Sequence, residues 1–251
     1  MILIRTCVIT ILALLGGTAE GISGSRQPET TTPADTTGIS KPFPTQASSS
    51  STATPVSSDT SRVNLVPEGF VLLKAEKTSK LSNLCNKDTL CQLIFMKVNR
   101  TDRSTVRAGK SVLLPVDIDK ALQYSPVPNK LSDARGEREI RVFLDRQYFG
   151  AYENGKLVFW GPVSSGSTSH PTPTGRFMVN FKQRYKRSIR YDNAPMPYSI
   201  NFYYGFFIHQ QSLPGYPASH GCIRLLMDDA RKLFQWVQRG DPVTVTNFGD
   251  K

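Results

Sequence analysis

The sequence predicts a mainly β protein with one C-terminal helix, preceded by a small α+β module. Three observations predict it. After Arg138, runs rich in β-formers recur between turn signals. Asn154-Gly155 sits between two such runs, and Asn-Gly is the strongest short hairpin signal because both residues tolerate positive φ. Only "DDARKLFQWVQRG" in this region repeats apolar residues at helical spacing.

The elements follow in chain order. "MILIRTCVITILALLGGTAEG" has a basic Arg5, an apolar run too short to span a bilayer, and small residues Gly17-Thr18-Ala19. It is expected to be a signal peptide over 1–19, with an uncleaved anchor as the alternative. No cysteine closely follows the run, which argues against a lipoprotein anchor, and no later stretch has a spanning pattern. Residues 20–62 are Ser/Thr/Pro-rich, with Phe43 the one aromatic side chain. Such a stretch buries too little apolar surface to offset ordering entropy, so a disordered tether reaching roughly 35 Å is expected.

Residues 63–119 form the module. "GFVLLKA" reads as a strand, "SKLSNLCNKDTLCQLIFMKVN" as two short helices about a turn, and "STVRAGKSVLLPV" as a turn and a strand closed by Pro115. The run Asn99, Val106, Gly109, Leu113, Pro115 resembles the second half of a LysM domain, although the opening half departs from that family. The resemblance implies binding to glycan strands; a purely structural module is the alternative.

From 138 to 248 the readings are a strand "EIRVFLDRQ", the Asn154-Gly155 hairpin, and strands "TGRFMVNFKQ" and "YSINFYYGFFIHQ". The helix follows, with Ala230, Leu233, Phe234 and Val237 on one face, Asp228 or Asp229 at its cap and Gly240 at its end. "DPVTVTNF" returns as a strand.

The chain carries a formal charge of +11. Nucleic acid is the usual partner of such a charge, but a secreted protein seldom meets it, so an anionic cell envelope is expected instead. With Cys7 removed, Cys85, Cys91 and Cys222 remain, an odd number for an oxidising compartment. A turn at Asn86-Lys87-Asp88 brings Cys85 and Cys91 together, closing a loop that stabilises by roughly 2 kcal/mol. Cys222 is then the free thiol.

Cys222 lies in "YPASHGCIRL", with His220 two places before it and Arg224 two after. Three readings compete. Zinc could take His209, His220 and Cys222, but no metal-ligand spacing is present. A plain buried cysteine needs an apolar setting that "SHGC" lacks. A nucleophile needs a base and stabilisation of its thiolate. His209, closing a strand of bulky residues, is the expected rigid base. The start of the helix after Cys222 is expected to favour the thiolate. The amides of Gly221 and Cys222 are expected to form an oxyanion hole, and Arg224 to grip a carboxylate. His220 is expected to act through its backbone, and His170 reads as a surface loop histidine. "FKQRYKRSIRYDN", with five basic residues, reads as a solvated loop or as a lid over an acidic peptide.

"SHGCIRL" resembles the signature of YkuD-type L,D-transpeptidases. "VSSGSTSHPTPTGRFMV" and "YDNAPMPYSINFYYGFFIHQQSLPGYPASHGCIRL" are similar to two further stretches of that family. One departure is a short span between His209 and Ser219, with Gln210 where Gly is common. The resemblance implies a β-sandwich, no cofactor and no metal. It implies catalytic roles for Cys222, His209, Gly221, Ser219 and His220, and substrate binding by Arg224 and Tyr198. The implied reaction is attack on a peptidoglycan stem peptide, loss of D-Ala, and resolution of a thioester by an amine of a second stem; the family is acylated by carbapenems through the same attack. Alternatives are a non-catalytic peptidoglycan-binding protein, hydrolysis, or attachment of a protein to the wall. The expected setting is the periplasm or cell wall after secretion across the inner membrane, as a monomer bound to neither membrane nor nucleic acid.

Overall fold

In the computed structural model, residues 66–248 are described. The expected signal peptide and the whole of the tether lie outside these residues.

The module opens with β1 (Phe70–Lys74) and β2 (Ser79–Lys80), then α1 (Leu81–Leu84) and α2 (Thr89–Val98). It ends with β3 (Thr105–Val106), β4 (Ser111–Pro115) and α3 (Ile118–Gln123). β1 pairs antiparallel with β4, and β2 with β3. Asp88 caps α2, accepting from the amides of Leu90 at 2.7 Å and Cys91 at 3.0 Å, which satisfies donors a helix start leaves free. Asn86 and Lys87 take positive φ before it, and Cys85 and Cys91 are joined across this turn. Both sulfurs lie in the module's core with Leu81 and Phe95. The short α3 was not expected from the sequence; Asp117 caps it by accepting from Lys120 N.

The C-terminal region adds β5 (Arg138–Phe143), β6 (Tyr148–Glu153), β7 (Lys156–Ser164), β8 (Gly175–Met178) and β9 (Phe181–Arg187). Then come β10 (Pro195–Tyr203), β11 (Phe206–Gln210), β12 (Ile223–Leu225), α4 (Met227–Trp236) and β13 (Pro242–Thr246). Nine of these strands form one sheet in the order β8-β13-β5-β6-β7-β12-β11-β10-β9. Neighbours run antiparallel except β13 with β5 and β11 with β12. Asn154 and Gly155 make the expected tight turn, both at positive φ.

Two expected strands are each two. "TGRFMVNFKQ" divides into β8 and β9, which lie at opposite edges of the sheet. The crossing takes two residues: Val179 N bonds to Asp241 O beside β13, and Asn180 N to Asn201 O on β10. The sheet must therefore curl until its edges meet, giving the sandwich. "YSINFYYGFFIHQ" is a hairpin, because Asn201 Nδ2 donates to the carbonyls of Tyr204 and Phe206 and folds the chain at Tyr204-Gly205.

The core inside the curl holds Ile140, Val142, Phe149, Ile200, Ile208, Ile223 and Leu225, closed by Ala230, Leu233 and Val237 of α4 and its end. The expected caps of α4 are corrected. Asp228 pairs with Arg231 at 2.9 Å, Asp229 turns inward to Lys97 at 3.0 Å, and the helix ends at Trp236, ahead of Gly240.

Candidate active site

Strand alternation builds the site. On β11, Ile208 points into the core, while Phe207 and His209 face a cavity of about 490 Å3. Ile223 and Leu225 of β12 likewise enter the core, so Cys222 and Arg224 turn to the same cavity. The parallel register sets His209 opposite Arg224. The local sequence thus delivers base, thiol and guanidinium to one face of two neighbouring strands.

His209 is buried and its Nδ1 lies 2.8 Å from the Gln210 carbonyl oxygen. A carbonyl only accepts, so Nδ1 carries the proton and Nε2 keeps the lone pair. Burial lowers its pKa to about 4, with the Arg224 charge pushing the same way and the Gln210 bond opposing. Burial also raises the pKa of the free thiol of Cys222, against the Phe207 amide and the charges of Arg224 and Lys186. Burial lowers that of Arg224 as well. The resting pair is a neutral imidazole and a neutral thiol. The expected help from the start of the helix is corrected: β12 stands between Cys222 and α4, and the polar neighbours of the thiol are Phe207, Arg224 and Lys186.

Ser219 and Gly221 shape the turn. Ser219 Oγ donates to the Cys222 carbonyl and accepts from Gly221 N at 3.0 Å. The expectation that Gly221 N faces an oxyanion is therefore corrected, since that amide is committed to Ser219; none of the loop bonds takes up the amide of Cys222. Gly221 has φ +110, and a Cβ there would lie 2.5 Å from the Phe206 ring, so only glycine fits.

Tyr198 is also corrected. Its ring meets Phe234 of α4 edge-on at 5.7 Å and packs on the core, and it does not line the cavity. His220 is exposed; its ring stacks on Tyr191 at 4.6 Å and meets His170 at 4.8 Å. Among the described residues, no three His, Cys, Asp or Glu side chains come together as metal ligands.

The basic run contributes directly to the cavity wall. Lys186, Ile189, Arg190 and Tyr191 line it, and no carboxylate does. Residues with no assigned role complete the support. Thr172 Oγ1 accepts from Gly166 N and donates to the Gly221 carbonyl, both at 2.8 Å. Gln147 donates to Ser165 Oγ at 2.7 Å and accepts from Ser165 N at 2.9 Å, and Ser165 O holds the amides of Ala218 and Ser219. Thr172 lies in the "T-P-x-G" stretch, which was the one available signal.

Residues of this region are similar to known proteins. Residues 137–245 match the family model of the YkuD L,D-transpeptidase catalytic domain. L,D-transpeptidase 1 of Mycobacterium tuberculosis (strain ATCC 25618 / H37Rv) is 32% identical over 114 residues, which is 39% of this chain and 45% of that protein. The chain thus spans less than half the length of that curated relative. A crystal structure of an L,D-transpeptidase from Stackebrandtia nassauensis has a TM-score of 0.49 at 27% identity, over 64% of this chain and 78% of that one. An Enterococcus faecium L,D-transpeptidase gives 0.40 at 28%, over 44% and 50%.

Proposed function

We propose that the protein is a peptidoglycan L,D-transpeptidase of the cell envelope, acting through a Cys222 thioester. The observation that carries this reading is a free thiol just before β12 and a single-tautomer imidazole on the neighbouring β11, in a cavity whose charged walls are all cationic.

Stem peptides end in carboxylates, and Arg224 supplies a partner for one. A carboxylate there offsets the repulsion Arg224 exerts on a protonated His209, so substrate binding makes the base stronger where it is needed. The Cys222 sulfur bonds to the carbonyl carbon while its proton passes to His209 Nε2. The Gln210 carbonyl then holds an imidazolium, and the amide of Cys222 is available to the oxyanion. The C–N bond breaks, the terminal D-Ala amine takes the proton from Nε2, and a thioester remains. An amine of a second stem attacks that thioester, giving its proton to His209. The C–S bond breaks and the thiol is restored from His209. The sum of the two halves is one amide exchanged for another, with no cofactor.

Work at the wall places the protein in the periplasm or wall as a monomer, with the module on glycan strands. Intact mass after incubation with a carbapenem tests the reading. Wild type should gain one carbapenem mass and Cys222→Ala none; an unmodified wild type would sink it. Muropeptide analysis then separates cross-linking from hydrolysis and from protein attachment.

A further inference from the structure

A second cationic groove lies apart from the nucleophile. It has a volume of about 490 Å3 and is walled by the loop after α2 and by Pro214, Gly215 and Tyr216. Arg100, Arg103, Arg107 and Lys110 face it. None of these four pairs with a carboxylate among the described residues. Asp102 lines the adjoining hollow together with Arg103 and Arg107 and accepts from Ser212 Oγ at 3.2 Å.

The groove has fixed walls. Thr101 and Pro214 form an antiparallel bridge, Asp102 N bonds to Leu213 O at 3.3 Å, and Leu213 is fully buried. Arg100 lies over the Tyr148 ring at 5.5 Å, which fixes its guanidinium. Tyr216 leaves a largely exposed ring at the edge.

The short span after His209 decides what the groove serves. Gln211 and Ser219 wall the nucleophile's cavity, while Pro214, Gly215 and Tyr216, between them in the chain, wall the groove. An occupant of the groove therefore lies one loop away from the thioester. The transfer needs two strands, and Cys222's cavity holds the first.

We infer that this groove docks the carboxylates of the second peptidoglycan strand, the one whose amine resolves the thioester. The inference rests on the proposed transpeptidation. Four cations that pair with no carboxylate among the described residues select an anionic chain, and the shared loop selects the strand that must reach Cys222.

The test uses the full chain and the double variant R103Q/R107Q, both of whose sites are exposed. Cross-linking is followed with an acceptor stem peptide bearing free carboxylates and with the same peptide amidated. The variant should raise KM for the free-carboxylate acceptor about tenfold at low salt. It should move KM for the amidated acceptor less than about twofold, and the difference should vanish near 0.5 M salt, where the Debye length is only about 4 Å. Equal KM values for the two acceptors in wild type, or an unchanged KM in the variant, overturn the inference. Competition by poly(glycerol phosphate) but not by free stem peptide also overturns it, because the groove then belongs to a phosphate polymer. Carbapenem acylation of Cys222, measured alongside, isolates the proposed function: its loss in wild type defeats that reading, while its persistence with unchanged KM defeats only the groove.

Discussion

His209 donates a hydrogen bond from Nδ1–H to the Gln210 carbonyl, 2.8 Å away, and that bond decides which nitrogen can accept the thiol proton. With a pKa lowered to about 4, the imidazole is neutral throughout the physiological range. Acylation by a carbapenem should therefore rise with pH through and above neutrality, following the raised pKa of Cys222, with no acid limb from His209 above about pH 5. His209→Ala should slow acylation about 10²- to 10⁴-fold at pH 7 and recover in part in alkali. Stopped-flow acylation across pH checks this. His220→Ala should lose less, since its exposed ring stacks on Tyr191 and the proposed reaction moves its protons through His209.

The same burial has a stability signature. The folded pKa of His209 lies below the ordinary value of 6.5, so the unfolded chain takes up a proton that the native state refuses. Stability is intact above pH 6.5 and falls as pH drops from 6.5 toward 4, by roughly 3 kcal/mol for this one group. His209→Gln should flatten that part of the curve in denaturant titrations.

Thr172 should prove a positioning residue. Thr172→Val keeps the volume but strands Gly166 N and the Gly221 carbonyl, costing about 1 to 3 kcal/mol. It should also slow acylation while leaving the pH profile in place. Thr172→Ser, which keeps the hydroxyl, should restore both.

Lys97 reaches from α2 to the buried Asp229 on α4 at 3.0 Å and to the Trp160 carbonyl at 2.6 Å. Burial raises the pKa of Asp229, so its proton stabilises the native state at low pH and that contribution is lost as pH rises. Lys97→Met should cost about 3 kcal/mol near pH 8 and progressively less toward pH 4, as the carboxyl becomes neutral. Urea unfolding at both pH values checks the sign.

The disulfide should be separable from catalysis. Cys85→Ser with Cys91→Ser should lower stability by about 2 kcal/mol and leave the carbapenem mass gain on Cys222 intact.

Local features were legible in the sequence. The Asn154-Gly155 hairpin and the apolar face of α4 depend on residues within a few positions, and Cys222 with His209 stood out through the odd cysteine count, the polar setting of "SHGC" and the strand of bulky residues that His209 closes. What needed partners far along the chain was not legible. Gln147 meets Ser165 across 18 residues, and Thr172 meets Gly221 across 49. "TGRFMVNFKQ" reads as one strand because nothing in it announces that two sheet edges meet there. Tyr198 was misassigned because its positive φ turns the ring toward α4, which proximity to "NAPMPY" does not reveal.

The parallel pairing of β13 with β5 has a kinetic consequence. β5 pairs with a strand about 100 residues later in the chain, so the curl cannot close until β13 has formed. Long-range pairing of this kind makes folding slow. Removal of residues 242–251 should leave a species without a competent Cys222 cavity.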